Sequence, residues 1–123
     1  MPRLFFITGS LLGLAGVAAG AFGAHALRDI LSPERLEVFH TAVRYQMVHA
    51  FALFVAGWAA EKHENGQFAK AGWMFLAGVA LFSGSLYILV ATKARWLGAV
   101  TPVGGMAFLA GWFFLAKGFW TQR

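Results

Sequence analysis

The sequence predicts an all-α integral membrane protein, a single transmembrane domain spanning residues 1–123 whose four helices run up-down-up-down across a bilayer. Three observations carry that expectation. First, 59% of the residues are apolar and only 12% charged, where an average soluble domain carries roughly 25% charged residues. Ten Lys/Arg and five Asp/Glu are too few to wet the surface that a soluble domain of this length exposes. Second, the apolar residues gather into four stretches, at 4–26, 41–60, 71–91 and 102–119. Each approaches the ~20 residues that a helix rising ~1.5 Å per residue needs to cross ~30 Å of hydrocarbon. Third, the charges fall in the gaps between these stretches with no basic run, so the positive balance suits lipid headgroups and no nucleic-acid partner is expected. Cysteine is absent, which removes disulfides, thiol catalysis and Cys-ligated zinc or iron–sulfur clusters together.

The first stretch, with Arg3 before it and Ala24-His25-Ala26 at its end, has the outline of a cleavable signal. Its apolar part exceeds a normal signal core of ~7–15 residues, and three further spans follow, so a retained helix is expected. Gly9, Gly13, Gly16, Gly20 and Gly23 recur along it at steps of 4, 3, 4 and 3, which keeps them on one helix face. A face without Cβ atoms lets another helix approach closely, and that contact matters where lipid offers no hydrophobic drive for association. Gly104, Gly111 and Gly118, stepping by seven in the fourth stretch, make that helix one candidate partner.

Ser32-Pro33 reads as an N-cap followed by proline at the first helical position, so the second helix starts near Pro33. Its first turns, through His40, are expected at the membrane surface. With Thr41 set to zero, Glu37 and Arg44 fall near about 320° and 300°, Tyr45 near about 40° and His49 near about 80°. Phe39, Val43, Met47, Ala50, Phe51, Phe54 and Trp58 occupy an arc between about 160° and 280°, read as the lipid face. Gln46, near about 140°, falls off the polar arc and is expected at a helix boundary. The short segments 28–37 and 61–70 make successive helices antiparallel neighbours. Thr101-Pro102 repeats the start signal for the fourth helix, which leaves 93–100 as a connector resting at the interface.

Orientation is balanced. Arg3, Lys62, Lys70, Lys117 and Arg123 lie on one side; Arg28, Arg35, Arg44, Lys93 and Arg95 lie on the other, so the positive-inside rule does not decide. Trp58, Trp73 and Trp120 would sit near one interface and Trp96 near the other, as an aromatic belt requires.

Polar residues collect in one leaflet: His25, Arg44, Tyr45, His49, Ser83, Ser85, Tyr87 and Thr101. They form either a candidate polar pocket or a set of hydrogen bonds that lock the helices together. Arg44 lies one turn inside its span, able to reach the headgroups or to pair with Glu37.

Four motifs are distinctive. Residues 20–27 read GAFGAHAL, 39–50 FHTAVRYQMVHA, 82–87 FSGSLY and 101–105 TPVGG. In this order they resemble the YgdD-like family, small multi-pass proteins grouped as a domain of unknown function. The resemblance implies a bacterial inner-membrane protein of about four spans, related to a small eukaryotic transmembrane protein. It carries no established activity and no catalytic residue.

These residues point first to a structural or accessory membrane component, packed through its glycine face against a second copy or a larger complex. The alternative is a small-solute or proton transporter using the polar cluster. A haem protein needs two histidines at similar depth on facing helices; His25 and His40 share a depth, whereas His49 lies deeper. No Asp or Glu lies within a span and no nucleophile–base pair is evident, so no enzyme, no catalytic residue, no metal site and no cofactor are expected.

Overall fold

The computed structural model describes residues 2–122, and these contain helices and connectors with no strand. Helix α1 runs Pro2–Leu27, α2 Pro33–Lys62, α3 Gly66–Thr92 and α4 Leu97–Thr121. Arg123, counted above among the charges of one side, lies outside the described residues. Helices α1, α3 and α4 are long and apolar enough to cross a membrane. The longest helix, α2, has 30 residues and a more polar first half, with Arg44, Gln46 and His49 among its apolar positions.

Capping chemistry sets two helix starts. Ser32 Oγ accepts the Arg35 amide at 3.3 Å with Pro33 next to it, the start expected for α2. Asn65 Oδ1 accepts the Gln67 amide at 3.1 Å to begin α3, while its Nδ2 donates to Gly118 O and Thr121 Oγ1 of α4 at 3.3 and 3.1 Å.

The start of α4 departs from expectation. The helix begins at Leu97 and carries Pro102 inside it. The amides of Leu97, Gly98 and Ala99 bond the carbonyls of Ala94, Arg95 and Trp96 at 3.1, 3.0 and 3.0 Å. Tight turns of this kind satisfy the first orphan amides and let the helix begin before the proline. Thr101 Oγ1 also donates to Leu97 O at 3.2 Å, tying down the turn beside the missing proline N–H. Half of the expected connector, from Leu97 onward, is therefore helical.

Two segments are π-helical, Ala18–Gly23 in α1 and Val79–Ser83 in α3. Each wide turn closes five residues back, Ala24 N–H on Ala19 O and Gly84 N–H on Val79 O, which re-aims the face that follows.

Packing pairs aromatic rings with glycines. In α3, Phe68, Phe75 and Phe82 step by seven; in α4, Gly118, Gly111 and Gly104 step by seven the other way. A Cβ on Gly118 would meet the Phe68 ring, one on Gly111 the Phe75 ring, and one on Gly104 the backbone of Leu81 and Phe82. The ring of Phe5 likewise fills the hollow at Gly72, and that of Phe108 the hollow at Gly78. Phe5, Phe68 and Phe75 are fully buried, surrounded by Ala52, Leu53, Ala56 and Ala71.

The glycine face of α1 packs on α2 and not on α4. Gly9 lies against Ala50 O, Leu53 and Phe54, Gly16 against Met47 and Gln46, Gly20 against Val43, and Gly23 against Phe39. A Cβ on Gly13 would have nothing within 4 Å; this glycine lies about 40° from Gly9, on the stripe's edge. The contact also corrects the face assignment in α2. Phe39 and Ala50 are buried, Val43 and Met47 half-buried, all inside the arc read as lipid-facing. Phe51, Phe54 and Trp58 of that arc are exposed as expected, and the exposed stripe continues through Glu37, Arg44, Val48 and Val55, turned toward the polar arc. Hydrophobicity does not separate the two faces, because a lipid tail is as apolar as a neighbouring leucine.

Gly104→Ala should lower stability in detergent by about 1–3 kcal/mol, since its methyl meets backbone that has no rotamer to yield. Gly13→Ala should be neutral or stabilising by up to about 1 kcal/mol. Thermal melting followed by tryptophan fluorescence measures both; equal behaviour of the two variants contradicts the packing described.

Candidate functional site

The polar residues are distributed along the helix contacts as separate staples. Ser83, at the end of the π-helical segment, is fully buried and donates from Oγ to Ala42 O at 2.8 Å, joining α3 to α2. Ser85 Oγ lies 2.6 Å from Thr101 Oγ1, joining α3 to α4. Each hydroxyl also reaches a carbonyl of its own helix, Ser85 Oγ to Phe82 O at 2.9 Å and Thr101 Oγ1 to Leu97 O at 3.2 Å, so one proton of the pair is shared between the two hydroxyls and the other goes to a carbonyl.

Gln46 joins three helices. Its Nε2 donates to Leu12 O at 2.8 Å and its Oε1 accepts the Tyr87 hydroxyl at 2.7 Å, so one side chain links α1, α2 and α3. It is 4% exposed. At about 140° it lies within the buried face of α2, and the helix boundary expected for it is the meeting of α2 with α1 and α3. The ring of Tyr87 also meets that of Phe39 edge-on at 5.7 Å.

His49 is 3% exposed and held on both nitrogens. Trp112 Nε1–H of α4, which only donates, reaches His49 Nε2 at 3.0 Å. The imidazole proton therefore sits on Nδ1 and is given to Tyr45 O at 2.7 Å. The Phe108 ring stacks on the imidazole, with centroids 3.6 Å apart and planes 9° from parallel. Tyr45 is half-exposed, its ring against Phe82 at 4.6 Å. An open groove of about 450 Å³ runs past Tyr45, His49, Phe82, Pro102 and Trp112.

Arg44 and His25 are not part of this network. Arg44 pairs with Glu37 at 3.2 Å, and both side chains are more than 60% exposed. An exposed pair of this kind contributes about 0–1 kcal/mol in water. His25 is exposed at the far end of α1, away from the bonds that hold His49. Of the eight grouped polar residues, His49, Ser83, Ser85, Tyr87 and Thr101 are thus hydrogen-bonded to a neighbouring helix, Tyr45 packs its half-exposed ring on Phe82 and Phe108, and His25 and Arg44 are exposed.

Sequence reasoning missed Gln46 and Trp112 as members of the network. The signal for Trp112 is its depth. It lies well inside α4, away from the belt positions where tryptophan meets headgroups, and an indole N–H at that depth requires a partner. His49 is that partner.

Interhelical hydrogen bonds inside a membrane are worth about 0.6–2 kcal/mol each. Trp112→Phe should destabilise by that amount, and His49→Ala by more because it also empties the stack against Phe108. A double-mutant cycle read by melting should show the two losses to be non-additive; strict additivity means that the Trp112–His49 bond contributes nothing.

Comparison with known proteins adds a family and its relatives. Residues 19–105 match the family described as "Protein of unknown function (DUF423)". The chain is 46% identical over 114 residues to the UPF0382 membrane protein YwdK of Bacillus subtilis (strain 168), covering 92% of this chain and 93% of that protein. It is 45% identical over 113 residues to the UPF0382 membrane protein SH2409 of Staphylococcus haemolyticus (strain JCSC1435), covering 92% of each. It is 40% identical over 116 residues to the UPF0382 membrane protein SSP2132 of Staphylococcus saprophyticus, covering 94% of this chain and 96% of that one. No solved structure matches the chain significantly.

Proposed function

The chain belongs to the DUF423 family and is a membrane protein; on that premise we propose that it serves as a structural or accessory component of the bacterial inner membrane, and not as an enzyme. The four motifs noted above support a YgdD-like member of the family. In this reading the four helices cross the bilayer up-down-up-down. The less apolar α2 is the fourth span, with its polar side chains turned into contacts with α1, α3 and α4.

The observation that carries the reading is the closure of the polar network. His49 has both nitrogens engaged, Gln46 both ends of its amide, and Ser83, Ser85, Tyr87 and Thr101 each a partner on a neighbouring helix. Bonds of this kind across helix contacts are the means by which membrane helices are held together, and they give each of these side chains a structural role. Among the exposed apolar faces, which include Val103, Met106, Leu109 and Phe113 of α4, the one proposed for assembly is the outer side of α1, with Ile7, Leu11, Leu14, Val17 and Phe22. A second copy of the chain or a larger membrane complex takes that side.

Vesicles reconstituted with the protein should leak protons and small solutes no faster than empty vesicles, and His49→Ala should change nothing in that assay. Cross-linking in native membranes should trap an assembly that Leu14→Gln, on that outer side, disrupts while the melting temperature stays near wild type. A flux that depends on Tyr45 or His49 refutes the accessory role in favour of transport.

A further inference from the structure

Where the end of α3 meets the start of α2, Arg35, Lys93 and Arg95 line a cleft of about 320 Å³ whose other walls are Val38, Leu89 and Val90. No acidic residue lines it. Among the described residues the ion pair present is Arg44 with Glu37, and none of the three cations in the cleft has a carboxylate partner. Three unneutralised cations around one cavity raise its potential and favour an anion there.

The backbone adds a second, independent observation. Lys93 ends α3 in the left-handed conformation at φ 60°, the one non-glycine residue with positive φ among those described. The turn is held by Lys93 N–H on Leu89 O at 2.8 Å and by Ala94 N–H on Thr92 Oγ1 at 3.3 Å. Glycine or asparagine is the residue that such a helix end favours, because a Cβ is strained there. A lysine at this position gives up backbone ease and places an ammonium at the mouth of the cleft.

The apolar wall decides what kind of anion fits. Val38, Leu89 and Val90 lie beside the cations at the end of a helix long and apolar enough to cross the membrane. A free phosphate has no use for that wall; an amphiphile does. We infer that the cleft binds the headgroup of an anionic phospholipid, its phosphate held by Arg35, Lys93 and Arg95 and its first acyl carbons laid on Val38, Leu89 and Val90. Guanidinium groups suit phosphate oxygens because their fork donates two parallel hydrogen bonds.

The test uses the full chain in nanodiscs of phosphatidylcholine with and without phosphatidylglycerol, and native mass spectrometry of lipid retained after mild delipidation. Phosphatidylglycerol should raise the melting temperature and remain bound where phosphatidylcholine does not. Arg35→Gln and Arg95→Gln should each weaken retention about fivefold, the effect expected of one basic residue near an anionic surface. Lys93→Gly should raise the melting temperature in pure phosphatidylcholine, by relieving the backbone, while reducing the added rise from phosphatidylglycerol; opposite signs in one variant separate lost binding from poor folding. Lys62→Gln and Lys117→Gln, at the other end of the molecule, should retain lipid as wild type does. Equal loss in those two variants overturns the site, as does equal retention of phosphatidylcholine. Inorganic phosphate reproducing the whole rise marks a free-anion site and overturns the lipid assignment. A change in oligomeric state, and not in lipid retention, on substituting the three cations marks a protein contact and overturns it too.

Discussion

In hydrocarbon, helices gain nothing by hiding apolar surface from neighbours that are equally apolar, so what holds them is close contact and internal hydrogen bonding. This molecule supplies the contact by seating phenylalanine rings where a neighbouring helix lacks a Cβ. The rings of Phe68 and Phe75 of α3 sit at Gly118 and Gly111 of α4, those of Phe5 and Phe108 fill hollows at Gly72 and Gly78, and Gly104 receives the backbone of Leu81 and Phe82 directly. A ring brings many dispersion contacts at once, each tiny and together large. It also sets register, because a slip of one residue along either helix would drive a ring into a side chain.

The polar contacts depend on that register. With α4 held against α3, Thr101 comes within 2.6 Å of Ser85; with α4 also beside α2, Trp112 reaches His49 at 3.0 Å. The π-helical turn at Val79–Ser83 contributes at the same place. It offers Gly104 its closest backbone approach and ends on Ser83, whose hydroxyl bonds Ala42 O. Close packing and polar satisfaction are thus achieved by the same few residues. The exposed Glu37–Arg44 pair and the three cations around the cleft at the turn after α3 gather at one end of the molecule.

Much of this was legible one residue type at a time. The charge deficit announced a membrane protein, Ser32-Pro33 marked a helix start that the structure contains, and the glycine rows marked faces of close approach. Other readings failed for definable reasons. Pro102 looked like a beginning because proline resists helix interiors, but tight turns at Ala94–Trp96 start the helix earlier. Trp112 passed unnoticed because an indole in a membrane helix has an ordinary explanation as bulk.

The sequence by itself determined the medium and the elements: too few charges to be wetted as a soluble domain, four helices of which three are long and apolar enough to cross a membrane, and small residues spaced to bring helices together. Those features depend on composition and on periodicity along one chain, which a sequence states directly. Only the tertiary structure decided which glycine row meets which helix, which side of α2 faces outward, and whether each polar side chain is tied up or exposed. Partner choice depends on register between helices, and inside a bilayer neither lipid nor protein neighbours differ enough in polarity for hydrophobicity to reveal it.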